Sequence, residues 1–246
     1  MKLGIMQPYF FPYIGYWQLI NAVDVYVIYD DVNYKKRGWI NKNYISINGE
    51  AKAIAIRTLK VSQNKYINEI EVDLNDVYLN KLLKTIKEAY SKAPYFEEVY
   101  SMVENIILYK EVNLAKFLTN SILEICAFLK INTKIMASSD LKKNSQLKGQ
   151  DKILEICKLC SANEYVNAAG GISLYSATDF QMHGIDLRFI KPTDITYTQK
   201  SNDEFLPNLS IIDIMMFNSV EKITDMLTEF KVFQNTTSLP HPIGGN

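Results

Sequence analysis

The sequence predicts an α/β fold: a doubly wound, mostly parallel Rossmann-like sheet with a helical insertion between its halves. Three observations predict it. The first thirty residues run strand, loop, helix, strand, the pattern of a right-handed βαβ unit. A long helical stretch then interrupts the alternation, which resumes after Thr133 and continues to the last third of the chain.

Residues 3–6 form a short apolar run that Gln7-Pro8 stops, a first strand. Residues 14–23 place Ile14, Trp17, Leu19, Ile20 and Val23 at helical spacing, and 25–29 are a β-branched and aromatic run ending in Asp30-Asp31. Residues 51–56 read as a third strand after an Asn48-Gly49 turn. The insertion, about 76–130, starts with an amphipathic helix over 77–90. Pro94 suits the first turn of the next helix, and 112–130 carry Leu114, Phe117, Leu118, Ile122, Ile125 and Leu129 on one stripe. Strands at 133–137, 165–166 and 187–190 alternate with helices at 151–160 and 173–182, and helices at 210–217 and 220–230 close the fold. The reading is a single α/β domain over 1–233, with a turn-rich tail, 234–246, expected to be disordered. There is no internal repeat and no low-complexity block.

Composition narrows the function. The 246 residues are 48% hydrophobic, an ordinary globular balance. Lys+Arg and Asp+Glu both total 27, so no basic excess argues for a polyanion partner. Three cysteines, an odd number, and no signal-like start point to a reducing, cytoplasmic setting. No uncharged apolar run reaches the roughly 20 residues of a membrane span, so no membrane insertion is expected.

In open parallel sheets, ligands bind beyond the carboxyl ends of the strands. Those ends carry Gln7-Pro8-Tyr9, Asp30-Asp31, Arg57, Ser138-Ser139-Asp140, Asn167 to Gly171, and Lys191-Pro192. In the first loop, Pro8 and Pro12 stiffen the backbone, and Gly15 opens the first helical turn, where an anion is favoured. Gln7, Tyr9, Tyr13, Gly15 and Tyr16 are therefore candidates for an aromatic, phosphate-accepting pocket wall; the bland reading is an aromatic cap over the sheet.

Asp30 and Asp31 are the catalytic candidates, since adjacent carboxylates at a strand end suit general-base work, hydroxyl binding or metal ligation. Lys36 could meet a phosphate and Trp39 could stack on a sugar or base, with Asn41, Asn43 and Ser139 as further binding candidates. Asn167, Gly170 and Gly171 suit a backbone approach to a phosphate, or a plain tight turn. Ser210 with Asp213 three residues on resembles a capping box, whereas Tyr197 and Gln199 have no such explanation and stay as site candidates. Two histidines, His183 and His241, make a histidine triad or zinc site improbable. Cys126, Cys157 and Cys160 fall in apolar helical stripes and read as packing residues, and neither a Walker loop nor G-x-G-x-x-G occurs.

The segments Q-P-Y-F-F-P-Y-I-G-Y, Y-D-D-V-N-Y, G-W-I-N-K-N and L-S-I-I-D resemble the WbqC-like family, over roughly residues 1–230. That resemblance implies a role with bacterial surface polysaccharide: a transferase that N-acylates a nucleotide-linked amino sugar, by glycyl or aminoacyl transfer. Tyr9, Tyr13, Tyr16 and Trp39 would bind sugar or base, Lys36 and Gly170-Gly171 the diphosphate, and Asp30 or Asp31 would be the base. The acyl group would come through ATP or from an activated donor, aminoacyl-tRNA or an acyl thioester on a carrier. The alternatives are a sugar-nucleotide-binding scaffold of polysaccharide assembly and a metal-dependent glycosyltransferase-like enzyme. A weaker resemblance links the strand, proline loop and x-x-G-x helix start to the H-x-G-H region of the nucleotidylyl-transferase superfamily. Here Tyr13 and Tyr16 hold the histidine positions and cannot supply imidazolium charge.

Overall fold

The computed structural model describes residues 1–199 and 204–234. In chain order the elements are β1 (Lys2–Met6), α1 (Ile14–Asn21), β2 (Val25–Ile28), β3 (Lys42–Ile47), β4 (Glu50–Ala55), β5 (Thr58–Leu59) and β6 (Glu71–Val72). Then come α2 (Asp76–Tyr90), α3 (Phe96–Ile107), α4 (Leu114–Phe128), β7 (Lys134–Ala137), α5 (Gly149–Leu159) and β8 (Glu164–Ala168). The last are α6 (Ala177–Met182), β9 (Asp186–Pro192), α7 (Ile211–Phe217), α8 (Val220–Met226) and β10 (Phe230–Phe233).

Six strands form the main sheet in the order β10-β9-β8-β1-β2-β7. All neighbours pair in parallel except β10, which runs antiparallel to β9. Alternation along the strands sorts side chains into two cores. Leu3, Ile5, Val25 and Val27 join Ile153, Ile156, Cys157 and Phe180 from α5 and α6. Tyr26, Ile28 and Val166 join Trp17 and Ile20 of α1 and the apolar stripes of α2, α3, α4, α7 and α8. The mixed α/β class, the mostly parallel sheet and the helices between β2 and β7 are as the sequence predicts. Asn75 and Asn113 cap α2 and α4, accepting from the Tyr78 and Lys116 amides, which explains where those helices start.

Three elements differ. Residues 51–56 are not a strand of the main sheet: β4 pairs antiparallel with β3 in a separate hairpin. Asn48 (φ 52°) and Gly49 (φ 78°) form its two-residue turn, and positive φ at both positions matches the twist of a tight hairpin. Arg57 therefore marks no strand end of the sheet; its guanidinium lies 3.9 Å from the Tyr78 ring centre. The closing helix stops at Met226, and Phe230, still in phase with its apolar stripe, begins the edge strand β10. Residues 169–174 are a 3₁₀ turn, leaving only Ala177–Met182 as α-helix. The tail beyond Gln234 and His241 lie outside the described residues. Among the described residues no helix is long and apolar enough to cross a membrane.

Candidate functional site

The loop between β1 and α1 is built around a strained residue. Phe11 is fully buried and has φ 43°, although it is β-carbon-bearing and precedes proline, where extended backbone is favoured. Its carbonyl accepts from Asn43 Nδ2 (2.8 Å) and Ser210 Oγ (2.9 Å). The next carbonyl, of Pro12, accepts from the Ile211 amide (3.0 Å) and Trp17 Nε1 (3.0 Å). Hairpin strand β3 and the start of α7 thus grip the loop from two sides.

That grip forms one wall of a cleft of about 340 Å³ lined by Tyr9, Pro12, Tyr13, Trp39, Asn43 and Asn208. Among the described residues no charged side chain lines it. Tyr9 Oη, Tyr13 Oη, Trp39 Nε1 and the Asn208 amide make no hydrogen bond to any described residue, while Trp39 is 50% exposed and its ring packs edge-on to Tyr44. Burial raises the Tyr9 and Tyr13 phenols above their ordinary range, Tyr13 adding to the effect on Tyr9, so both stay protonated donors at neutral pH. Gly15 has a local reason: a β-carbon there would sit 2.6–2.7 Å from the Tyr13 ring, which folds over it. Tyr16 is buried, donating to the Gln7 carbonyl (3.0 Å) and packing against Tyr9 (ring centres 5.5 Å apart).

The two aspartates have opposite surroundings. Asp30, 4% exposed, accepts from the Ser139 amide (2.9 Å), Ser139 Oγ (2.6 Å) and Asn68 Nδ2 (3.4 Å), all neutral donors. It lies on the wall of a larger groove, about 620 Å³, that α4 and β7 share. Asp31 meets two ammonium groups, Lys143 Nζ at 2.7 Å and Lys152 Nζ at 3.1 Å, and accepts from Ser138 Oγ (2.7 Å). Burial alone would raise the Asp31 carboxyl, but Lys143, Ser138 and Lys152 outweigh it and hold it below the ordinary range. The pair thus works as an ion pair plus a hydrogen-bonded carboxylate, and not as two equivalent oxygen ligands.

Several other nominated residues serve inside the fold. Asn41 accepts from Tyr34 Oη (2.9 Å) and donates to the Ile56 carbonyl (2.9 Å). Asn167 donates to Tyr165 Oη (2.7 Å) and Tyr175 Oη (2.9 Å), with Gly171 against its side chain. Gly170 and Gly171 belong to the 3₁₀ turn, and Lys36 is exposed on a turn three residues before Trp39. Tyr197 Oη (2.7 Å) and Gln199 Nε2 (3.2 Å) both donate to Asp213 Oδ1, and Tyr90 Oη (2.7 Å) to Oδ2. Asp213 is therefore not half of a capping box; Ser210 alone caps α7, accepting from the Ile212 amide. Cys126 and Cys157 are buried, with thiols pushed up to about 12 by burial, while Cys160 is partly exposed.

Tyr9, Tyr13, Trp39 and Asn43 are thus brought together, and Asp30 with Ser139 sits apart. Asn208, Lys143 and Lys152 escaped the sequence reading, and Asp213 was read there only as half of a capping box. Asn208 and Asp213 lie within or beside the L-S-I-I-D segment, whereas nothing in the order of residues links the two lysines to Asp31, more than 100 positions earlier.

The model of the WbqC-like protein family matches residues 7–225. A protein of Mycobacterium tuberculosis (strain ATCC 25618 / H37Rv), named "Uncharacterized protein Rv1507c", is 26% identical over 228 residues, covering 92% of this chain and 97% of its own. No solved structure matches.

Proposed function

The chain belongs to the WbqC-like protein family, and on that premise we propose that it is a transferase N-acylating a nucleotide-linked amino sugar whose neutral ring sits in the aromatic cleft. One observation carries the reading: Tyr9, Tyr13, Trp39 and Asn208 line one cleft with polar side chains that have no hydrogen-bond partner among the described residues, and no described charged side chain lines it. Asn43 in the cleft, and Asp30, Asp31, Asn41, Ser139, Asn167, Tyr197 and Gln199 outside it, are already hydrogen-bonded. An uncharged ring bearing hydroxyl or amide groups is the ligand part that such a lining complements. The diphosphate lies outside the cleft, toward exposed Lys35, Lys36 and Arg37.

The position supports this. Strand order turns back at β1, which has β2 on one side and β8 on the other, and in open, mostly parallel sheets ligands bind beyond the strand ends at such a point. Met6 and Ile28 are register partners, so the chain leaves adjacent strands toward Tyr9 and toward Asp30. Of the two carboxylates Asp30 is the one without a cation partner among the described residues, Asp31 being committed to two lysines, and Asp30 lines the second groove and not the cleft. The amine attacks the acyl carbon, an N–C bond forms, and the donor's oxygen or sulfur leaves with its electron pair and takes up the amine proton. A carboxylate activated by ATP, an aminoacyl-tRNA or an acyl thioester supplies the acyl group.

Calorimetry with UDP-glucosamine and with dTDP-4-amino-4,6-dideoxyglucose tests the binding step, against Trp39→Ala and Tyr13→Phe. Saturable binding to the wild type, weakened about tenfold in Trp39→Ala, is expected, since stacking on an aromatic ring is worth about 1–3 kcal/mol. Equal affinity in Trp39→Ala removes the cleft from the account. Binding with no acylated product from any of the three donor types supports the scaffold alternative over the transferase.

A further inference from the structure

We infer that Asp213 is a positioning residue for the aromatic cleft, holding two of its walls at once; this rests on the cleft being the ligand site. Asp213 is fully buried on α7, and among the described residues no cation meets its carboxylate; its partners are Tyr90, Tyr197 and Gln199. Such a group is costly to keep in a core, so its hydrogen bonds organise whatever they touch.

Two of these partners, and α7 itself, lead to the cleft. Gln199 grips Leu206 with both ends of its amide, Nε2 to the Leu206 carbonyl (3.0 Å) and Oε1 from the Leu206 amide (3.0 Å). Leu206 is two residues before Asn208, which lines the cleft with φ 57°. On the other side, Asp213 fixes the first turn of α7, whose Ser210 and Ile211 hold the carbonyls of Phe11 and Pro12. Pro12 and Tyr13 are the opposite wall. Tyr90 closes the triangle: its hydroxyl also accepts from the Ser46 amide (3.3 Å) on β3, the strand that supplies Asn43. Loss of the carboxylate therefore releases the Asn208 segment and slackens the clamp that keeps Phe11 in its strained conformation.

The test compares Asp213→Leu, which removes both acceptors, with Asp213→Asn, which keeps one carbonyl acceptor and lets the tyrosine hydroxyls rotate to suit. Ile156→Ala, in the opposite core, serves as a control for loss of stability alone. Two readings are taken: the Kd for UDP-glucosamine, and acrylamide quenching of Trp39, which needs no ligand and hardly senses fully buried Trp17. Expected are an at least tenfold weaker Kd and altered quenching in Asp213→Leu, recovery of both in Asp213→Asn, and neither change in Ile156→Ala. A lowered Tm in Asp213→Leu with wild-type quenching and Kd overturns the inference. Absence of UDP-glucosamine binding to the wild type counts against the proposed ligand, and quenching then decides the positioning role by itself. If Asp213→Leu does not fold, Gln199→Ala, which unties Leu206 and removes one donor to Asp213 while Tyr90 and Tyr197 stay, is read the same way.

Discussion

Ser210 Oγ donates a 2.9 Å hydrogen bond to the carbonyl of Phe11, joining the start of α7 to a loop 199 positions earlier. Asn43 meets the same oxygen at 2.8 Å. A buried residue with φ 43° persists only where its surroundings over-determine it, and here the far end of the domain does so.

Ser210→Ala removes one of two donors to Phe11 and the cap of α7, and is expected to cost about 1–2 kcal/mol. At about 2–4 °C per kcal/mol for a domain of this size, Tm falls by a few degrees in a melting scan. Asn43→Ala, which releases both Phe10 and Phe11 carbonyls, is expected to lower Tm further.

Gly15→Ala separates folding from binding. The added carbon collides with the Tyr13 ring, a side chain at the cleft that can swing away, and not with backbone. The expected outcome is a Tm within a few degrees of wild type with a several-fold weaker Kd for a nucleotide-linked amino sugar, read by calorimetry.

Asp31 makes the acid limb of stability steeper. Its folded-state carboxyl sits below its unfolded value, so the stability it contributes is complete above the ordinary carboxyl pKa and is lost as pH falls through the folded pKa. Asp31→Ala leaves the Lys143 and Lys152 ammonium groups unpaired in a nearly closed site and is expected to cost about 3–5 kcal/mol at pH 7. Chemical denaturation of the variant between pH 3 and 7 is expected to show a shallower acid slope than wild type.

Asp213 has the opposite sign. Burial raises its carboxyl despite the hydrogen bonds from Tyr90, Tyr197 and Gln199, so its contribution is most favourable below the unfolded pKa and is lost as pH rises through the folded one. The stability of Asp213→Asn relative to wild type is therefore expected to improve from pH 3.5 to 7, in the same denaturation series.

Much of the frame was legible because periodicity and strand-end chemistry are local. Trp17 and Ile20 declare a helix, Val25 to Ile28 a buried strand, and Gln7 to Tyr16 an unusual loop. The errors have local causes too: residues 51–56 carry strand composition, but only the turn geometry of Asn48-Gly49 sends them back along β3 and out of the sheet. At the site, the aromatic residues were found because their composition is rare in a loop. Asp213 was read only as a helix cap and Lys143 not at all, since their roles arise from contacts across 100 or more positions, as between Asp213 and Tyr90 and between Lys143 and Asp31.

The central claim is that the ring of a nucleotide-linked amino sugar packs on Trp39, and the two tryptophans offer a direct measurement. The indole N–H of Trp17 is bonded to the Pro12 carbonyl, whereas that of Trp39 has no partner among the described residues. In ¹⁵N-labelled protein titrated with UDP-glucosamine or dTDP-4-amino-4,6-dideoxyglucose, the Trp39 indole resonance is predicted to move saturably while that of Trp17 moves little. A Trp39 resonance unmoved by both sugars at millimolar concentration would contradict the account.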